Sequence, residues 1–418
     1  MAKDIHSDAK NESPEMDKND HRVIGRELDL FTFSDLVGPG LPMWTPKGNI
    51  IREELDMYVR SLRAKYGYSR VTIPHITKRA LYETSGHWNK FSDELFKITS
   101  REGKEYALKP MSCPHHTQIF ARKPHSYREM PQRYAETTMV YRDEQSGELG
   151  GLTRVLSITQ DDAHVFCRKS QIREEFLKIW DIVDTFYKTF GFTLRVRLSF
   201  RDPADMSKYL GTKEIWDSAE KQLREIATEK GADYFEGPGE AALYGPKLDF
   251  MAKNSAGREW QIATIQLDMN LPERFDLTCI NEKGEQERIT MIHAAITGSL
   301  ERCTAILLEH YEGNLPLWLS PVQVKVIPVR EQHNEYAAKI HVQLMENGLR
   351  AELNTADSNL GTKVRDAKTN KIPYWIVLGD KEVEAGKVTL ESRDTGQLGQ
   401  FSAEEVLGRF KEEIKNRK

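Results

Sequence analysis

Apolar residues recur at helical spacing in several long segments of the chain, which predicts amphipathic helices. The clearest case is residues 171–190, whose apolar side chains fall on one face. Residues 291–310 are apolar over much of their length and are predicted to form a helix that carries Ser299 and Arg302. Further helices are predicted over residues 47–66 and 213–230.

Other segments read as strands. Strict alternation over residues 192–201 predicts a half-buried antiparallel strand. Residues 260–271 are predicted to form another strand, and residues 70–73 a short one that ends at Pro74. Strands with helices on one side indicate an α+β fold with an antiparallel sheet. The chain has neither a Rossmann glycine pattern nor a P-loop, so any ATP must be bound differently.

Residues 138–166 read as a strand, a polar loop with glycines, and a second strand over residues 152–159. The second strand leads into Gln160, Asp162 and His164, which alternation places on one face. Three polar side chains would then converge on one pocket.

Two arginines flank this loop, Arg142 and Arg154. Guanidinium groups hold phosphate or carboxylate oxygens in two-point geometry, so the hairpin suits a nucleotide site. A surface hairpin with ordinary charges explains the same pattern.

Near residue 319 the pattern changes to strands that alternate with helices, which is typical of a compact α/β domain. We therefore predict a polar disordered tail over residues 1–21, a catalytic domain over 22–318 and a smaller domain over 319–418. The predicted strands of this last domain are residues 322–329, 350–354, 374–378 and 387–391, and its predicted helices are residues 331–347, 360–368 and 403–417.

Composition narrows the class of protein. With 39% hydrophobic and 30% charged residues, the chain can bury a large core. The formal net charge of −4 means that any nucleic acid must be bound by local basic patches. No apolar run is long enough to span a bilayer. The four cysteines form no CxxC pair, which favours a reducing cytoplasm over a disulfide scaffold.

Cys113, His164 and His293 are the notable soft ligands. No local spacing joins them, and each taken singly is more typical of a buried cysteine or an ordinary histidine. If they converge, one thiolate and two imidazoles make a zinc site with an open position.

The chain carries long motifs in a fixed order, namely GPGLPMWTPKG, ETSGHWNKF, LKPMSCPHH, YRDEQSGEL, TQDDAHVF, YGPKLDF, QLDMNLPERF, GSLER, WLSPVQV and LGDKE. With these motifs it resembles the threonyl-tRNA synthetases, a family of class II aminoacyl-tRNA synthetases, from about residue 22 to the C-terminus. The resemblance implies a class II antiparallel sheet with flanking helices, followed by an α/β anticodon-binding domain. It also implies a cytoplasmic enzyme that activates L-threonine with ATP and Mg²⁺ and transfers it to tRNA(Thr).

The resemblance also assigns roles to residues. Pro74 would end the motif that forms the homodimer interface. Arg142 would bridge the α-phosphate of ATP and the carboxylate of the amino acid, and Arg302 would reach the nucleotide from a helix. Both would neutralise charge as the carboxylate attacks. Glu144 would help read adenine, Arg154 would hold the outer phosphates, and Ser299 is placed among the ATP-binding residues.

The family's zinc ligands match Cys113, His164 and His293, with one Zn²⁺ per subunit. The amine and hydroxyl of threonine would take the open positions, so valine, which lacks the hydroxyl, is rejected. Around them the resemblance places pocket residues Met111, Gln160, Asp162 and Tyr244, residues Gln266 and His87 near the terminal ribose of tRNA, and Gln261 close to the metal.

In the C-terminal domain, Glu382 matches a position that reads the anticodon, and Lys363 and Arg365 are candidates for phosphate contacts, although a solvated charged face is also typical. Asp357 and Glu391 stand where the family usually has asparagine and arginine, so anticodon reading is expected to be relaxed or altered. Further departures are Gly150, Leu156, Ser157 and Ala294.

Because the catalytic motifs begin early in the chain, we expect no editing domain. We therefore expect seryl-tRNA to form unless an editing protein acts in trans. Two other functions stay open: a paralogue that activates threonine for a non-tRNA acceptor, and a silent RNA-binding module. The intact set of ligands and arginines speaks against the silent module.

Overall fold

The computed structural model describes residues 17–255 and 257–418. The helices are α1 His21–Glu27, α2 Pro46–Lys65, α3 Arg79–Ser85, α4 His87–Lys90, α5 Cys113–Ala121, α6 Ile172–Thr189, α7 Lys213–Glu229, α8 Asn270–Arg274, α9 Leu300–His310, α10 Asn334–Glu346, α11 Leu360–Thr369, α12 Asp380–Ala385 and α13 Ala403–Lys415.

The strands are β1 Phe31–Thr32, β2 Met43–Trp44, β3 Ser69–Arg70, β4 Ile76–Lys78, β5 Lys97–Thr99, β6 Glu105–Leu108, β7 Gln132–Tyr141, β8 Ser157–Cys167, β9 Leu194–Phe200, β10 Tyr234–Pro238, β11 Lys247–Lys253, β12 Glu259–Asp268, β13 Thr278–Ile280, β14 Gln286–Arg288, β15 Thr290–Ala295, β16 Val324–Pro328, β17 Ala351–Leu353, β18 Tyr374–Leu378, β19 Val388–Ser392 and β20 Gly396–Phe401.

An eight-stranded sheet in the order β10-β9-β11-β12-β15-β8-β7-β3 forms the centre of the first part of the chain. Its inner pairings are antiparallel, whereas β10 and β3 at the two edges pair in parallel. Helices α2, α6, α7 and α9 bury their apolar faces in the core next to this sheet. The predicted α+β class is confirmed.

The long amphipathic helices follow the sequence closely. In α2, Thr45 caps the N-terminus by accepting a hydrogen bond from the Gly48 N–H, and Pro46 fills the first turn. The residues that recur at helical spacing in α2, such as Ile51 and Leu55, are fully buried. The predictions for α2, α6 and α7 are correct to within a few residues.

The prediction of one helix over residues 291–310 is wrong. Its first part is strand β15, and only its second part is helix α9, which begins where the Ser299 hydroxyl caps the Arg302 N–H. Strand β15 lies between β12 and β8, and nearly all of its residues are buried. A strand buried on both faces is apolar throughout, so its pattern resembles that of a buried helix.

Several predicted strand limits also need correction. Strand β8 begins only at Ser157, and β12 ends at Asp268 before the short helix α8. Strand β3 keeps only two residues. Strand β9 is interior and pairs in parallel with β10 as well as antiparallel with β11. Its polar face is buried only at Ser199, whose hydroxyl donates to a buried aspartate on β11, whereas Arg195 on the same face is exposed.

The C-terminal part contains a five-stranded sheet in the order β17-β16-β18-β19-β20 with its own apolar core. Its predicted elements are all present, whereas α12 and β20 were not predicted from the sequence.

The predicted domain boundary near residue 318 stays a prediction. Residues 1–16 of the predicted tail lie outside the described residues, and Asp20 caps α1. Among the described helices, none combines the length and apolarity needed to cross a membrane.

Removal of the buried guanidinium of Arg63 is expected to destabilise this fold by about 3–5 kcal/mol, because it leaves a buried carboxylate without its charged partner. Arg63 on α2 pairs with Asp161 and donates to the Ala294 carbonyl at 3.1 Å. The measurement is urea denaturation of Arg63→Ala. Arg60→Ala, which breaks a more exposed pair on the same helix, should cost under about 1 kcal/mol. Equal costs would contradict this account.

Candidate active site

A row of opposed residues crosses the middle of the large sheet. Gln266 on β12 lies opposite His293 on β15, and His293 lies opposite His164 on β8. His164 in turn lies opposite Tyr134 on β7. Directly opposed residues of antiparallel strands point to one face with Cβ atoms about 5 Å apart. The register therefore gathers side chains from remote segments on one face.

Three soft ligands meet at this row. The ligand atoms of Cys113, His164 and His293 lie within 4.8 Å of one another. His164 Nε2 is 3.1 Å from His293 Nδ1. Two nitrogens bound to one tetrahedral zinc ion at about 2.0–2.1 Å would be roughly 3.3 Å apart, so the spacing fits a shared ion. Cys113 opens helix α5 and comes to the site from outside the sheet.

The pKa values of Cys113 and His164 also suit a bound cation. Burial, with Asp162 and Asp268 nearby, raises the pKa of the Cys113 thiol well above its usual value. Burial, with His116 and His293 nearby, lowers the pKa of His164 well below its usual value. A neutral imidazole such as that of His164 can bind a metal, and a bound cation would deprotonate such a thiol.

A carboxylate orients one of the histidines. His293 Nε2 lies 2.9 Å from the Asp268 Oδ2 atom, so its Nδ1 is free to face the other ligands. Asp268 is fully buried, and its Oδ1 accepts the N–H groups of Asn270 and Leu271. A carboxylate behind a histidine is the usual support of a metal-binding imidazole.

An open cleft of about 310 Å³ lies over this face. Its lining includes the predicted residues Met111, Cys113, Arg142, Gln160, Asp162, His164, Tyr244, Gln261, Gln266, His293, Ser299 and Arg302.

Three of the residues predicted for the catalytic site, Glu144, Arg154 and His87, do not line the cleft. Arg154 is held by Glu144 at 2.6 Å and by Glu148 at 3.1 Å, so its guanidinium is engaged by carboxylates. His87 lies behind Tyr244, with ring centroids 6.3 Å apart.

Sequence reasoning missed other residues of the lining, among them Ile158 and Thr264. Each lies two positions before a predicted site residue on the same strand, Gln160 and Gln266 respectively. Strand alternation was therefore a signal that could have found them.

Positive charge is concentrated at one end of the cleft. Burial, together with Arg154 and Arg142, lowers the pKa of Arg302. Arg302 Nε donates to the Thr153 carbonyl at 2.9 Å. The buried Nε of Arg142 has no hydrogen-bond partner among the described residues. Such a group is suited to an anionic ligand.

The C-terminal candidates differ from expectation. Lys363 is buried, and its ammonium donates to the Pro328 carbonyl at 3.0 Å, so it does not lie on an open charged face. Arg365 on the same helix is exposed. The Glu382 carboxylate accepts the Thr389 hydroxyl, the Gly379 N–H and the Gln400 amide. Burial would raise its pKa, but these hydrogen bonds lower it overall.

Of the two acidic departures, Asp357 is exposed, and Glu391 accepts the indole N–H of Trp375 at 2.9 Å.

Comparison with known proteins agrees with this geometry. Residues 96–311 match the family described as the tRNA synthetase class II core domain (G, H, P, S and T), and residues 323–413 match an anticodon-binding domain. Fold, cleft and family match define a class II tRNA synthetase. Within that class, the chain belongs to the threonyl-tRNA synthetase family.

The threonine–tRNA ligase of Deinococcus radiodurans is 49% identical over 384 residues, which cover 92% of this chain and 59% of that protein. The enzyme of the same name from Cytophaga hutchinsonii is 45% identical over 403 residues, covering 96% and 62%. The chain thus spans about three fifths of the length of these curated relatives.

Solved structures are similar over nearly the whole chain. The crystal structure of the RNA binding domain of threonyl-tRNA synthetase from Cryptosporidium parvum Iowa II superposes on this chain with a TM-score of 0.90 and 37% sequence identity. The match covers 94% of this chain and 98% of that one. A putative threonyl-tRNA synthetase from Aeropyrum pernix has a TM-score of 0.85 and 30% identity, covering 95% and 96%.

His87 is expected to stay neutral between about pH 5 and pH 8. Burial, with His293, Arg274 and Arg142 nearby, lowers its pKa to about 4. Because unfolded His87 gains a proton near its ordinary pKa of about 6.5, its contribution to stability is present above that pH and is lost as pH falls toward 4.

NMR titration of the ring carbons should therefore show no transition for His87 in that range, with the exposed His75 of the same sample as the control. A transition near pH 6.5 would contradict the burial argument. His87→Asn should also make stability depend less steeply on pH between about 4 and 6.5.

Proposed function

We propose that the chain is a threonine–tRNA ligase, which forms threonyl-adenylate from threonine and ATP and transfers the threonyl group to tRNA(Thr). The observation that carries this proposal is the meeting of Cys113, His164 and His293 in the same cleft as Arg142 and Arg302. A metal-ligand set beside a cationic phosphate subsite suits recognition of an amino acid next to a nucleotide. The names of the relatives reported above support the same activity.

Arginines, together with the magnesium ion that accompanies ATP, would neutralise the negative charge of the phosphates. Arg142 and Arg302 place positive charge at the cleft, where negative charge develops as the carboxylate attacks the α-phosphorus. Arg154 would exchange its pairs with Glu144 and Glu148 for the outer phosphates. Glu144 would then be free to contact adenine.

Threonine would bind beside Cys113, His164 and His293, which would hold zinc. The ion would supply a Lewis acid for the amine and the hydroxyl of the amino acid. Asp162 is buried in the cleft beside His164, with its Oδ1 atom 3.6 Å from His164 Nε2, and would accept the substrate hydroxyl. Gln160, Tyr244 and Met111 would complete the pocket, and Ser299 caps the helix that presents the phosphate-binding arginine.

The tRNA terminus would reach Gln266 and Gln261, which line the cleft. His87 would be a proton shuttle, since its ring is neutral and its Nε2 has no hydrogen-bond partner among the described residues. Glu382 and Arg365 would contact the anticodon stem and loop, with reading altered by the acidic residues Asp357 and Glu391.

We further propose a homodimer through α2 and neighbouring strands. Large apolar side chains are exposed to solvent there, at Met57 on α2, Ile76 on β4 and Met139 on β7.

The four cysteines are free and buried, which suits a reducing cytoplasm.

Arg142→Gln is expected to lower threonine-dependent exchange of pyrophosphate into ATP by about 100-fold or more, because the variant loses charge stabilisation at the phosphate. The matched control is Arg173→Gln, which removes an exposed surface pair with Glu229 and should leave the exchange unchanged. No exchange with wild-type protein and threonine would refute the proposed activation step. An undiminished rate in Arg142→Gln would refute the assigned role.

Transfer to tRNA separates a ligase from an enzyme with another acceptor. Wild-type protein incubated with total tRNA, ATP and labelled threonine should yield an acid-precipitable threonyl ester. Arg365→Ala should weaken tRNA binding and reduce the slope of log affinity against log salt by about one, because one phosphate contact is lost. Pyrophosphate exchange should not change. Arg409→Ala, an exposed arginine of the same domain, is the control.

A further inference from the structure

A chain of buried polar side chains lies behind His164, and the proposed reaction does not use it. His116 is fully buried in α5, three residues after Cys113. Its Nδ1 is 2.7 Å from His164 Nδ1, and the two rings meet edge to face with centroids 4.7 Å apart. This contact lies on the side of His164 away from His293.

The geometry sets the direction of the hydrogen bond. His164 Nε2 faces His293 Nδ1, so the lone pair on His164 Nε2 is the one that would bind the zinc ion. The hydrogen of His164 is then on Nδ1 and is donated to His116 Nδ1. His116 consequently carries its own hydrogen on Nε2.

A buried carboxylate lies close to that nitrogen. His116 Nε2 lies 3.6 Å from the Glu136 Oε1 atom, and neither atom has a hydrogen-bond partner among the described residues. Glu136 on β7 lies opposite Asp162 on β8, so the sheet register fixes its place beside the site.

Lys109 balances the charge of Glu136. Its ammonium is fully buried, lies 3.9 Å from Glu136 Oε1 and donates to the Thr138 hydroxyl at 2.7 Å. A buried carboxylate of this kind needs a countercharge to persist.

We propose that His116 is a positioning residue that holds His164 in the orientation and tautomer needed for zinc, with Glu136 orienting His116 in turn. The proposal rests on the metal centre of the proposed function. His293 is supported directly by a carboxylate, whereas His164 is supported by the imidazole of His116. An imidazole acceptor orients the ring without placing another carboxylate beside Cys113 and Asp162.

The test is zinc affinity, measured by competition with a chromophoric chelator on the full-length protein after chelation and reloading. His116→Leu should bind zinc about 10–100-fold more weakly and change the visible spectrum of the cobalt-substituted protein. His116→Asn keeps an acceptor near the Nδ1 position and should recover most of the affinity. Glu136→Gln should cause a smaller loss in the same direction.

The matched control is His115→Leu, at the adjacent buried histidine whose ring nitrogens have no hydrogen-bond partner among the described residues. It should leave zinc affinity and the cobalt spectrum unchanged. Unchanged affinity and spectrum in His116→Leu would overturn this inference and leave the metal centre standing. If wild-type protein takes up no zinc, both are overturned. If His116→Leu fails to fold, the Asn and Gln variants decide the matter.

Discussion

The site depends on the register between β12, β15, β8 and β7. Because these strands are antiparallel neighbours, His293 lies opposite His164, and one face of the sheet carries the whole polar row. A slip of one residue in any pair would turn those side chains into the apolar core beneath. The core residues that alternate with them, such as Ile292 and Val165, are fully buried and oppose such a slip. Packing of the apolar face of the sheet thus determines which side chains lie together on the polar face.

Helix α2 connects this register to the outer surface. Its Arg63 pairs with Asp161, whose other oxygen accepts the N–H groups of Ile296 and Thr297 just after β15. The same helix sends Arg52 to the Thr159 hydroxyl, and the Thr159 N–H donates to Glu301. The buried Arg63–Asp161 pair and these hydrogen bonds therefore join α2 to the turn that leads into α9. Removing one partner of such a buried pair is costly, because it leaves the other charge unpaired.

Three arginines lie close together at the cationic end of the cleft. Burial is the main cause that lowers the pKa of Arg302, and the nearby charges of Arg154 and Arg142 lower it further. The protein relieves this repulsion locally, since Arg154 is held by Glu144 and Glu148 and Arg302 by the Thr153 carbonyl. Arg154 and Glu148 are both exposed, and an exposed ion pair of this kind contributes only about 0–1 kcal/mol. In the C-terminal domain, by contrast, the Glu382 carboxylate is already satisfied by three internal donors.

Local pattern in the sequence was enough for α2, α6 and α7, because each buries one face and leaves the other polar. It was also enough for the resemblance, which rests on motifs. It failed at β15, where burial on both faces removes the alternation that marks a strand. It failed at Lys363 too, because nothing nearby in the chain shows that its ammonium meets a carbonyl on β16. The meeting of Cys113, His164 and His293, and the support of His164 by His116, belong to the tertiary structure alone, since hydrogen bonds between distant strands and not sequence spacing decide which side chains face each other.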